Sequence, residues 1–243
     1  MRQLLVFYTL SVFLCSCKKT TVLNDLSREN LKGKVLSVKM FSLDSTGVDK
    51  KLIEERFYNP SGNLTETKTY DNNGSIRKSA TYSYTDKEAT VKENTSYNYS
   101  SYEKWKFDEK GNCIEKNMYD LEGKSLGRWV VFFDKKNKDT AAIYYLDGAI
   151  YRRWVYKYDD LGNQIEALAY MPEGYVLNSY TWKYNKEKDQ IEQMSYDGKG
   201  NLYVNETFTS LFEYDTKGNW VREVRKYMRG DKKFITERLI SYY

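Results

Sequence analysis

Trp154-Val155-Tyr156-Lys157-Tyr158-Asp159-Asp160-Leu161-Gly162-Asn163-Gln164-Ile165-Glu166-Ala167-Leu168-Ala169-Tyr170 decides the fold of this chain. Two short runs rich in aromatic and β-branched residues flank Asp159-Asp160-Leu161-Gly162. Asp at the first place and Gly at the fourth is type I turn chemistry, and the Gly supplies a positive φ after the turn. Before the turn, Trp154, Tyr156 and Tyr158 fall on one parity and Lys157 on the other. That is a β-hairpin.

The unit recurs about every 25 residues. Its anchors are Asn59, Thr85, Asp108, Asp134, Asp159, Asn185 and Asp215. A Tyr follows each at near-constant distance: Tyr70, Tyr97, Tyr119, Tyr145, Tyr170, Tyr196 and Tyr227. Many of these tyrosines open a second turn, as in Tyr70-Asp71-Asn72-Asn73-Gly74 and Tyr170-Met171-Pro172-Glu173-Gly174. Val35–Phe41 and the turn at Asp44–Gly47 form a preceding hairpin. Fixed-period repetition of one supersecondary unit predicts a repeat architecture. The expected fold is all-β: a long antiparallel meander of repeated β-hairpins, about 14–16 strands, as a curled sheet or barrel-like shell. Almost no helix is expected after residue 34.

Columns run through the repeats. Aromatic side chains precede the first turn at every second position: Trp105 and Phe107; Trp129 and Phe133; Trp154, Tyr156 and Tyr158; Tyr180, Trp182 and Tyr184. After it come a mostly β-branched column (Thr65, Val91, Ile114, Thr140, Ile165, Ile191, Val221) and a column containing Glu66, Glu115, Glu166 and Glu192. A three-residue loop places the Glu column on the aromatic face; a four-residue loop places the β-branched column there. One residue of slip exchanges the faces of the whole strand.

Tyr158-Asp159-Asp160-Leu161-Gly162-Asn163 and Tyr214-Asp215-Thr216-Lys217-Gly218-Asn219, with Phe107-Asp108 as a variant, resemble the Tyr-Asp-x-x-Gly-Asn core of the YD-repeat (RHS-repeat) family. The resemblance covers roughly residues 54–231 and implies a hairpin-repeat fold. The units are longer than the usual family repeat, so the delivery-cocoon function of the giant members does not carry over.

Residues 1–16 read as a signal peptide: Arg2, then an apolar run too short to span a bilayer, ending Leu14-Cys15-Ser16-Cys17. That ending resembles the bacterial lipobox and implies acylation of Cys17, which anchors the chain to a membrane. Lys18 follows, and the lack of Asp there implies, by the same resemblance, the outer membrane, facing the periplasm. Residues 17–33 read as a polar tether and 34–243 as a single β domain.

The 39 basic and 34 acidic residues are interspersed, so no basic block suits nucleic acid. There is no His, which removes Ser-His-Asp and Cys-His catalysis. Cys113 occupies a slot held by Leu elsewhere and reads as a small hydrophobe. The Glu column recurs in most units, as solvated Glu–Lys pairing does and a catalytic pair does not. The Asp-x-x-Gly turns lack the ligand spacing of a calcium loop. No metal, cofactor or catalytic residue is therefore expected.

The expected function is a non-catalytic cell-envelope lipoprotein acting as a binding or scaffold module for a glycan, peptide or envelope protein. The alternatives are an immunity or accessory protein for a secreted toxin, and an envelope hydrolase. Recurring Trp and Tyr suit packing or stacking on sugars. The candidate binding residues are the turn-proximal Tyr119, Tyr145, Tyr170 and Tyr196, beside the longest repeat interval at Asn201–Ser210.

Overall fold

A computed structural model describes residues 24–44, 46–96, 100–204, 206–230 and 233–243. Cys17 and the signal peptide lie outside the described residues. A four-residue helix, α1 (Asp25–Arg28), precedes β1 (Val35–Leu43), β2 (Lys50–Tyr58), β3 (Leu64–Tyr70) and β4 (Ile76–Tyr84). Next come β5 (Glu88–Thr95), β6 (Ser100–Phe107), β7 (Cys113–Asp120) and β8 (Ser125–Phe133). The chain continues through β9 (Asp139–Leu146), β10 (Ala149–Tyr158), β11 (Gln164–Tyr170) and β12 (Val176–Tyr184). It ends with β13 (Gln190–Asp197), β14 (Phe208–Tyr214), β15 (Trp220–Tyr227) and β16 (Lys233–Tyr242).

Each strand pairs antiparallel with the next, and β16 returns to β1, closing a 16-stranded barrel. Val38 lies opposite Ile240 and Met40 opposite Arg238 across the closing ladder. The all-β meander expected from the repeat is observed, and closure removes both sheet edges.

The turns follow the expected chemistry. Gly111, Gly162 and Gly218 have φ of 81°, 89° and 79°. The Asp108 amide donates to the Asn112 carbonyl and the Gly111 amide to the Asp108 carbonyl, enclosing a three-residue loop. The Asp108 carboxylate also accepts from the Lys110 and Asn112 amides. Such bonds favour its charged form. Although partial burial works against the charge, they hold this carboxyl below its usual range.

A second irregularity decides which face is which. Phe107 pairs with Cys113 but Lys106 pairs with Glu115, so Ile114 is an extra residue in the ladder. The same bulge leaves out Thr65, Thr140, Ile165, Ile191 and Val221. It reverses the parity that a three-residue loop alone imposes. The Glu column therefore faces the Lys column, away from the aromatic rings. Lys106–Glu115, Lys157–Glu166 and Lys183–Glu192 form cross-strand ion pairs at 2.8, 2.9 and 2.8 Å. The β4–β5 connection has a shorter turn and no bulge, so Val91 pairs directly with Tyr82 and is buried.

Residues 24–33 differ from the expected polar tether. Asn24 caps α1, its side chain accepting from the Ser27 amide, with Asp25 in the first turn and Arg28 in the last. The segment crosses the barrel end that carries the first turns. The Leu26 amide donates to the Gly62 carbonyl, Arg28 to Gly111, Asn30 to Glu187, and Lys32 to Gly218. Leu26 and Leu31 join Val35, Val38, Tyr58 and Leu64 in the principal apolar cluster. Two leucines in a polar stretch suffice because the hollow mouth of the barrel supplies their partners. The plug touches Tyr58, Tyr84 and Phe107, which identifies the aromatic face as the lumen wall.

Candidate binding site

Among the described residues, two lumen cations, Lys116 and Arg152, have no carboxylate partner. Cross-strand pairing sets Trp105 of β6, Lys116 of β7, Trp129 of β8, Tyr144 of β9 and Arg152 of β10 in one row. The Lys116 ammonium sits 4.1 Å from the centre of the Trp105 ring, and Trp129 stacks on Tyr144 at 4.9 Å. Trp154, Tyr180 and Trp182 extend the wall, with successive ring centres 6.1 Å apart. Ala142, Ala167 and Ala169 lie among these rings and are 4%, 2% and 0% exposed. Alanine at these positions makes room for the large neighbours on the adjacent strands. A cavity of about 470 Å³ at the plugged end is lined by Arg28, Trp105, Cys113, Lys116 and Asp139, among others. A second, of about 390 Å³, is bounded by Gln190, Gln193, Arg225 and Tyr227.

Charges beneath the plug are mostly satisfied. Arg56 bridges Glu29 and Glu54, both at 2.6 Å; burial opposes its charge, and the two carboxylates outweigh that penalty. Tyr84 donates to Asp25, and burial together with that carboxylate pushes the phenol pKa up. Tyr158 likewise donates to Asp139 and is pushed up by burial and that charge. Arg238 packs 3.4 Å over Trp220, and burial and nearby Arg56 lower its pKa to about 10. Cys113 is half-buried, and burial pushes its thiol up, away from a reactive thiolate.

The sequence-predicted tyrosines take other positions. Tyr119, Tyr145, Tyr170 and Tyr196 are half-buried and lie on the outer wall, on alternate strands. No ring contact joins any two of them among the described residues. Tyr119 stacks instead on Tyr102 at 5.0 Å, and Arg128 covers Tyr145 at 4.6 Å. The Tyr196 hydroxyl donates to the Met194 thioether.

The long interval near Asn201–Ser210 patches the wall. β13 and β14 share only the pairs Glu192–Thr209 and Gln193–Phe208. Beyond them the Tyr203 amide donates to the Ser195 carbonyl, and the buried Ser195 amide donates to the Thr207 hydroxyl. An outer groove of about 340 Å³ follows this seam past Met194, Thr207 and Lys226. Sequence reasoning did not single out Lys116 and Arg152, because neither belongs to a repeating column. Their register opposite Trp129 and Tyr144 exists only once the bulges are placed.

No family model matches the chain, and no curated protein matches it. Solved structures do resemble it. The crystal structure of a porin-like protein from Bacteroides uniformis ATCC 8492 aligns at TM-score 0.60 and 11% identity, over 86% of this chain and 98% of that one. A porin-like protein from Bacteroides vulgatus ATCC 8482 aligns at TM-score 0.51 and 13% identity, over 86% and 99%. The TcdB2-TccC3 crystal structure aligns at TM-score 0.31 and 9% identity, over 82% of this chain and 15% of that one. The first two likenesses are of fold.

Proposed function

We propose that this chain is a non-catalytic, lipid-anchored binding protein of the bacterial cell envelope, whose YD-repeat-like barrel stands in water and takes its ligand into the lumen. One observation carries the reading: the wall is inverted relative to a membrane pore. A transmembrane barrel turns an apolar band outward and polar groups inward. Here the outer wall bears ladders of ion pairs, with Lys92 and Lys104 outward in mid-strand, and aromatic rings line the inside. Charged side chains at mid-bilayer cost about 2–4 kcal/mol each.

The anchor is the acylated Cys17, and the location is the outer membrane, facing the periplasm. Cys17→Ala is expected to move the protein from the membrane to the soluble fraction. The mature chain, exported behind an ordinary cleavable signal, is expected to stay folded and monodisperse without detergent. It is expected to give no conductance in planar bilayers. Dependence on detergent together with ion conduction overturns the reading in favour of a pore.

A further inference from the structure

We infer that the lumen row Trp105–Lys116–Trp129–Tyr144–Arg152 is a binding site for an acidic oligosaccharide, a chain of pyranose units bearing carboxylates. The inference rests on the proposed lumen-binding function and names its ligand class.

Three observations carry it. First, the row sets three aromatic rings and two cations across five neighbouring strands. At about 4.8 Å per strand, four spacings make roughly 19 Å, the reach of an extended ligand of several units. Second, both cations lack a charge partner. Neither Lys116 nor Arg152 makes an ion pair or hydrogen bond with any described residue. Their only partners are the Trp105 ring, and the Tyr151 ring 5.4 Å from the guanidinium. Arg152 Nε is buried without an acceptor. Elsewhere on the inner wall Arg56, Arg225 and Lys78 hold carboxylates, whereas Arg238 is packed on Trp220 with its Nε likewise unpaired. A cation left uncompensated in an aromatic wall is costly unless an anion completes it. Third, the row sets aromatic surface directly beside the cations. Apolar pyranose faces suit Trp and Tyr, and Arg grips a carboxylate through two parallel N–H bonds. Two carboxylates lie beside the row and both are engaged: Glu103 accepts from Trp105 Nε1 at 2.6 Å, and Asp139 accepts from the Tyr158 hydroxyl.

The plug closes the mouth at the first turns, so the ligand enters through the opposite mouth. That route makes the site suit a flexible chain end rather than a folded protein surface.

Calorimetry with the mature chain tests this, using oligogalacturonate and its fully methyl-esterified form as probes. The acid form is expected to bind at least tenfold more tightly. Arg152→Gln and Lys116→Gln are each expected to weaken the acid form roughly tenfold while leaving the ester unchanged. Trp129→Ala is expected to weaken both. Because that truncation can also loosen the wall, the two Gln variants, which remove the charge but keep a polar amide, are read with their melting temperatures. Equal binding of acid and ester, both sensitive to Trp129→Ala, overturns the acidic class and leaves the lumen-binding reading standing. Binding of neither probe overturns the oligosaccharide assignment. Binding unaffected by all three variants overturns the lumen site itself. If pentaglutamate competes as well as the uronate, the row is a bare anion site and the sugar assignment falls.

Discussion

The Tyr84 hydroxyl donates to Asp25 Oδ2 at 2.8 Å, tying the wall of the barrel to the segment that plugs it. The same oxygen accepts from the buried Leu64 amide at 2.8 Å, and the other carboxylate oxygen holds Arg28 at 3.1 Å. Asp25→Ala strands that amide and frees Arg28, so a loss of about 2–4 kcal/mol is expected in denaturant unfolding. Tyr84→Phe removes one bond and is expected to cost about 1 kcal/mol. Protease cleavage within 24–33 should rise in step. If Asp25→Ala unfolds like the wild type, the docked segment is not a stabilising element.

The turn glycines should respond unequally to added side chains. Gly62 and Gly174 have similar positive φ, 84° and 94°. A Cβ at Gly174 meets nothing within 4 Å, whereas one at Gly62 runs into Asn24 and Leu26 of the plug. Gly174→Ala is expected to cost about 1–2 kcal/mol, the left-handed strain alone. Gly62→Ala is expected to cost clearly more and to expose 24–33 to proteolysis. Equal costs would show that the plug yields freely. Gly162→Val, at φ 89°, is expected to lose at least about 1–2 kcal/mol.

Stability should hold across a broad neutral plateau, because the chain has no His to titrate there. Glu115, held low mainly by Lys106, and Glu55, held low mainly by Lys39, have depressed folded-state pKa values. Their stabilisation is present above the unfolded carboxylate range, about 4, and is lost as pH falls through their lower folded values. On the alkaline side, burial raises Tyr156 to about 12. Its contribution is intact below the unfolded phenol value of about 10 and is lost as pH rises toward 12. Melting temperatures from pH 2 to 12 check this. A sharp change between pH 6 and 8 would contradict it.

Outer ion pairs should matter little singly. Lys157 is 60% exposed, so Lys157→Ala is expected to cost under about 1 kcal/mol. The effect should shrink further in high salt. A loss of several kcal/mol would mean that the outer wall is covered by a partner.

The seam between β13 and β14 should open first. Thr207→Ala leaves the fully buried Ser195 amide without its acceptor. Hydrogen exchange at Ser195 is expected to accelerate by roughly tenfold, with a global cost near 1 kcal/mol. Unchanged exchange there would show that the two ladder pairs alone hold the seam.

The sequence by itself determined the strands, the turns and the pairing partners along the chain. Asp-x-x-Gly chemistry and period-2 alternation are local, and each unit repeats them. Recurrence of the Glu column also marked it as solvated charge pairing, which the Lys–Glu ladders show. Tertiary structure alone decided the rest. The bulges at Ile114, Ile165 and their equivalents exchange inside for outside; all these positions are β-branched, but β-branching marks strands in general and does not by itself signal an extra unpaired residue. Closure joins Val38 to Ile240, and the plug joins Asn30 to Glu187, contacts whose partners are remote in sequence. They form because strand twist, summed over sixteen strands, brings the ends together and leaves a mouth for two leucines to fill. The lumen row was illegible for the same reason: register places Lys116 and Arg152 among aromatic rings, and register is a property of paired strands.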